Sequence, residues 1–100
     1  MLDLQHLKTF LMVATTKNFS RAAEELGYSQ SSVTHHIKCL ERELGARLIY
    51  RFRFARSIAL TDVGGRIYEH AKRLMAVAEE TKAAAAPLRR KLVDRRKRKR

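Results

Sequence analysis

Tryptophan is absent, and only three tyrosines and four phenylalanines stand among the 100 residues. With 45% apolar residues a packed core is within reach, but it has to be aliphatic: Leu, Ile, Val and Ala with a few Phe. A single cysteine, Cys39, excludes an internal disulfide and a Cys-rich zinc module and suits a reducing cytoplasm. No apolar run approaches the roughly 20 residues that cross a bilayer, and no membrane partner is expected. The N-terminus carries Asp3, His6 and Lys8 on an amphipathic stretch, which is not the pattern of a signal peptide. A chain of 100 residues has room for one domain and one core but not for the deep cleft of most enzymes. There is no paired-carboxylate cleft, nucleophile motif or phosphate loop, since Gly64-Gly65 belongs to a helix start. An enzyme is therefore not expected, and no cofactor or metal is.

Acidic residues are also scarce: ten, against 22 Lys and Arg, for a net charge of +12. That balance points to an anionic partner, nucleic acid or a membrane surface. The excess is uneven. Residues 87–100 hold nine Lys or Arg and one Asp, a net +8, leaving +4 for residues 1–86. The folded part is modestly basic, so the overall charge says little about the domain itself.

Periodicity divides the chain into four helices and a hairpin. Leu4, Leu7, Phe10, Leu11 and Ala14 share one helical face, with Asp3 as a cap and a stop near Lys17-Asn18. Ser20 is expected to cap a second, short helix with Ala22, Ala23 and Leu26 inward and Gly27 as its stop. Ser29 is expected to cap a third helix to Leu44, ended by Gly45, with Val33, Ile37, Leu40 and Leu44 as its buried stripe. Two short strands, Leu48-Ile49-Tyr50 and Ile58-Ala59-Leu60, flank a basic tip of residues 51–57. Thr61 caps a long fourth helix in which Ile67, Ala71, Leu74, Ala78, Thr81 and Ala85 recur at alternating four- and three-residue spacing, a heptad-like seam. Pro87 is expected to end or kink that helix, and the residues after it form a charge block.

Four blocks follow one another in register with these elements: Phe19-Ser20-Arg21-Ala22-Ala23-Glu24-Glu25-Leu26, Ser29-Gln30-Ser31-Ser32-Val33-Thr34, Leu40-Glu41-Arg42-Glu43-Leu44-Gly45-Ala46-Arg47-Leu48, and Leu60-Thr61-Asp62-Val63-Gly64. In that order they resemble the DNA-binding domain of LysR-type transcriptional regulators over about residues 3–86. The resemblance implies a mainly α fold, a winged helix-turn-helix with a β-hairpin wing and a long C-terminal linker helix. It divides the chain into a DNA-binding domain over 1–61, a linker and dimerisation helix over 62–87 and a basic tail over 88–100. It also implies a cytoplasmic, nucleoid-associated bacterial regulator that binds double-stranded DNA as a homodimer. The family's large effector domain does not follow Pro87, so no small-molecule effector is expected for this chain.

The positions matching the family's base-reading residues are Gln30, Ser31, Ser32, Thr34, His35 and Lys38. Their chemistry fits: Gln bonds in bidentate fashion to an adenine edge, Ser and Thr are short adaptable partners, and Lys suits a guanine or a phosphate. Ser20, Arg21 and Thr61 are expected to hold the DNA backbone, which fixes position without reading sequence. In the family a basic wing residue enters the minor groove, which draws attention to Arg51, Arg53 and Arg56, where narrow A·T-rich grooves favour arginine. Phe52 and Phe54 in the same tip either stack on bases or pack on the domain or a partner, and packing is favoured. His35, His36 and Cys39 supply too few ligands for a structural zinc. The competing reading is a non-specific, nucleoid-type DNA- or RNA-binding protein led by the basic tail.

Overall fold

The computed structural model describes residues 1–50 and 58–98, with side chains described as far as Ala86. The chain is mainly helical: α1 (Leu4–Thr16), α2 (Phe19–Leu26), α3 (Gln30–Leu44), β1 (Ile49–Tyr50), β2 (Ala59–Leu60) and α4 (Asp62–Arg98). β1 and β2 pair antiparallel, Ile49 opposite Leu60 and Tyr50 opposite Ala59, and form the base of a hairpin. The tip with Arg51, Phe52, Arg53, Phe54 and Arg56 lies outside the described residues.

Local chemistry sets the helix ends. Asp3 accepts a hydrogen bond from the Gln5 amide and starts α1, and Lys17 closes it in the left-handed region at φ 56°. Asn18, not Ser20, caps α2: its side-chain oxygen accepts from the Arg21 amide at 3.1 Å. Asn is as good a cap as Ser, and Phe19 already belongs to the helix, which places Ser20 within the first turn. Gly27 and Gly45 end α2 and α3 at φ 72° and 67°. After each, a further amide reaches back five residues, Tyr28 to the Ala23 carbonyl and Ala46 to that of Glu41. This is the glycine-dependent closure that leaves few orphan carbonyls.

The core gathers Leu7, Phe10 and Val13 from α1, Ala22 and Ala23 from α2, Val33, Ile37 and Leu40 from α3, Leu48 and Ile49 beside the hairpin, and Ala71 from α4. The α1 stripe is rotated from the expected one. Leu4 is 52% exposed, Leu11 is half-buried, and Val13 and Thr9 take the interior. Leu44 of α3 is half-buried. Both strands are one residue shorter than expected. The backbone of Leu48 is engaged elsewhere: its amide donates to Glu41 Oε2 at 2.8 Å and its carbonyl accepts from the Thr61 amide at 3.0 Å. α4 leaves that point so closely that a Cβ on Gly64 would collide with the Leu48 carbonyl.

α4 also continues past Pro87, to Arg98. The boundary expected at 87 is therefore not a helix end. Proline removes one i to i−4 hydrogen bond, but its flanks are rich in Ala, Leu, Lys and Arg, the strongest helix formers. At about 1.5 Å per residue, the 37 residues of α4 account for most of the 66 Å long axis. Among the described residues no helix is long and apolar enough to cross a membrane.

Candidate nucleic-acid interface

α2, the turn Gly27-Tyr28-Ser29 and α3 form a helix-turn-helix, and α1 packs against both helices. α3 is bolted down along one side by Val33, Ile37 and Leu40, all fully buried. Its other side is polar. Gln30, Ser31, His35 and Lys38 are exposed, and Ser32 and Thr34 are half-buried next to them. The fold thus brings together all six residues marked out on this helix, within its first nine positions.

The start of α3 is more ordered than a list of polar residues suggests. Ser29 Oγ accepts from the Ser32 amide at 3.1 Å, and lies 3.1 Å from Ser31 Oγ and 3.0 Å from Ser32 Oγ. Three hydroxyls thus share one small network around the cap. Gln30 stands beside it, exposed, at the positive end of the helix. His35 turns toward Cys39, with Nε2 3.5 Å from Sγ. Among the described residues no group of three or more His, Cys, Asp or Glu could hold a metal ion.

The residues assigned to the DNA backbone fare unequally. Ser20 and Arg21 are exposed in the first turn of α2. Thr61 is different. Its hydroxyl donates to the Arg47 carbonyl at 2.6 Å and accepts from the Gly64 amide at 2.9 Å, while its own amide donates to Leu48. A phosphate oxygen only accepts, and both Thr61 donors are taken. Thr61 is a structural cap that ties the approach to β1 to the start of α4.

The seam of α4 is divided. Ala71 is fully buried in the chain's own core, so it offers no area to a partner, and Ile67 is half-buried against that core. Ala78 lines an apolar groove of about 360 Å³ between α1 and α4, with Leu4, Leu11, Met12 and Met75. Leu74, Thr81 and Ala85 remain exposed. Val77, outside the heptad-like series, is 56% exposed, more than Leu74 at 41%. Spacing alone missed it because neighbouring helix positions share the face left open once α1 covers the other.

Residues 4–65 match the model of the bacterial regulatory helix-turn-helix proteins of the lysR family. The chain is 42% identical over 85 residues to the HTH-type transcriptional regulator HdfR of Yersinia enterocolitica, an alignment covering 85% of this chain and 28% of HdfR. The chain spans less than a third of the length of such relatives. Its fold superposes on the BenM DBD in a complex with catB site 1 DNA with a TM-score of 0.81 and 28% identity, covering 87% of this chain and 94% of that one. The CbnR DBD in its DNA complex gives a TM-score of 0.79 and 31% identity, covering 87% and 98%.

Proposed function

The chain belongs to the lysR family of bacterial regulatory helix-turn-helix proteins, and from that premise we propose that it binds double-stranded DNA sequence-specifically to regulate transcription, with α3 in the major groove. The observation that carries this reading is the polar first half of α3. Gln30, Ser31, Ser32, Thr34, His35 and Lys38 share one accessible side, while Val33, Ile37 and Leu40 fix the opposite side in the core. A base-reading helix needs both: short hydrogen-bonding side chains that reach base edges, and a rigid seat that holds them in register. Ser20 and Arg21 in the first turn of α2 hold the phosphate backbone. Arg51, Arg53 and Arg56 supply the wing's contact with the minor groove. HdfR is a transcriptional regulator and the BenM and CbnR domains are seen on DNA, which favours specific binding over a tail-led, non-specific mode.

The chain acts in the bacterial cytoplasm on chromosomal DNA, as a homodimer. Residues 1–61 bind, α4 from residue 62 joins two copies through Leu74, Val77, Thr81 and Ala85, and the basic residues beyond 87 add sequence-independent attraction. Selection of bound duplexes from a random pool, then titration of the selected and a scrambled duplex with rising salt, tests the assignment. The selected duplex keeps its advantage as overall affinity falls. If the two weaken together and end with no preference, the specific reading is wrong.

A further inference from the structure

Behind the polar side of α3 lies a cluster of titratable groups centred on His36, which base reading does not use. His36 points from α3 toward α1. Its Nδ1 is 2.8 Å from the hydroxyl of Thr9, a polar side chain with no exposure at all. Thr9 donates to the Gln5 carbonyl at 3.0 Å, so its oxygen accepts from His36, and the His36 proton sits on Nδ1. The ring lies 4.9 Å, centroid to centroid, from that of His6 on α1, and meets Tyr28 of the α2–α3 turn edge-on at 5.3 Å. His35 is the next ring along α3, at 6.4 Å.

His6 is itself hemmed in by carboxylates, with Nε2 3.6 Å from Asp3 and Nδ1 3.3 Å from Glu43. Its Nδ1 is buried and makes no hydrogen bond. The carboxylates therefore face His6, while His36 faces two imidazoles, a phenol ring and a hydroxyl. A second proton on His36 would go to Nε2, in a half-buried place beside His6 and His35. Burial holds the affinity of His36 for a proton below that of an ordinary imidazole, His6 and His35 add to the effect, and Asp3 opposes it.

We propose that His36 is a positioning residue that seats α3 on α1 most firmly while its ring is neutral, so that acidification, which adds charge at Nε2 beside the His6 and His35 rings without breaking the bond to Thr9, loosens the DNA-reading helix. The proposal rests on the assignment of α3 to DNA reading for its second half and on the α1–α3 contact alone for its first. The sign follows from linkage. The unfolded chain binds a proton at His36 more readily than the folded chain does. Stability is complete above the ordinary imidazole value of about 6.5 and is lost as pH falls below it, down through the lower folded value. Binding to a specific duplex falls over the same window.

The test compares the whole chain with His36→Gln, which stays neutral at every pH. Urea midpoints are measured from about pH 8 to 5, and affinity for the selected duplex at both ends of that range. The wild-type midpoint drops further in acid than that of the variant. The acid-to-neutral affinity ratio of the wild type falls several-fold below that of the variant. Equal pH dependence of the midpoints overturns the proposal, and equal affinity ratios overturn its extension to DNA. If His36→Gln does not fold, the ring's own proton titration by NMR in the wild type decides. Titration below the ordinary value supports the seat, and titration at or above it refutes the seat. A midpoint step without preference for any duplex supports the seat and refutes base reading by α3.

Discussion

α3 and α4 are both amphipathic, yet they use their apolar faces differently. α3 is 15 residues long, capped by Ser29 and stopped by Gly45, and its stripe of Val33, Ile37 and Leu40 is completely covered by the chain's own elements. α4 is 37 residues long and carries an equally regular series, but the covering is complete only at Ala71. Leu74 and Val77, about one and two turns further on, are 41% and 56% exposed. Periodicity identifies a face; it does not say what lies against it. In α3 the cover is α1 and α2 of the same chain, and in the later part of α4 the proposed cover is a second copy.

The widest contrast is expected between Ile37→Ala and Leu74→Ala. Ile37 has no exposure and anchors α3 from within the core. Truncating a buried aliphatic side chain costs about 2–5 kcal/mol, through lost burial and the cavity left behind. The urea midpoint should fall sharply. Leu74→Ala should leave the midpoint of the dilute monomer almost unmoved, but raise the concentration at which dimers form in sedimentation. A similar loss of folding stability in both variants would erase the distinction between the two helices.

Gly64→Ala tests where α4 begins rather than where it ends. The added Cβ meets the Leu48 carbonyl, a backbone atom that cannot step aside alone. Strain of this kind costs about 1–3 kcal/mol. Gly65 next to it has open space around its Cβ position, so Gly65→Ala is the control and should be neutral or slightly stabilising. Equal midpoints for the two variants would mean that α4 can shift away from the hairpin without cost.

Gln30→Ala moves the comparison to the exposed side of α3. Gln30 is exposed at the start of α3, so folding should be unaffected. Affinity for the selected duplex should fall by about 1–3 kcal/mol, with relaxed preference at one base pair and unchanged binding to scrambled DNA. Uniform loss across all duplexes would assign Gln30 to the backbone instead.

The contrast also explains what was legible in the chain beforehand. Helices bounded by local signals were readable: Ser29, Gly27 and Gly45 act within six residues, and the structure places them as caps and stops. The polar side of α3 followed directly, because helical spacing fixes it once the buried stripe is known. Whatever depends on residues far apart was not legible. Thr61 has the chemistry of a phosphate ligand, but its donors are taken by Arg47 and Leu48, which the chain brings back across the hairpin. The bond between Thr9 and His36 joins residues 27 apart, and neither one alone suggests it. Ala71 belongs to a regular series, and only packing shows that its place is inside.

The smallest effect concerns the start of α2, where two adjacent candidates compete for one role. Asn18 accepts the Arg21 amide and has the extended backbone of a cap, φ −155° and ψ 119°. Ser20 sits two residues further on, within the helix and exposed. Asn18→Ala should therefore lower stability by about 1 kcal/mol, and Ser20→Ala should leave it within a few tenths, since Ala is the better residue inside a helix. Their effects on DNA binding should be reversed. Removing the Ser20 hydroxyl takes away one candidate donor to a phosphate and should weaken selected and scrambled duplexes alike. Asn18→Ala should act on binding only through a frayed first turn, an effect that the salt dependence will not share. A stability loss from Ser20→Ala equal to that from Asn18→Ala would return the cap to Ser20 and shift the start of the helix-turn-helix by two residues.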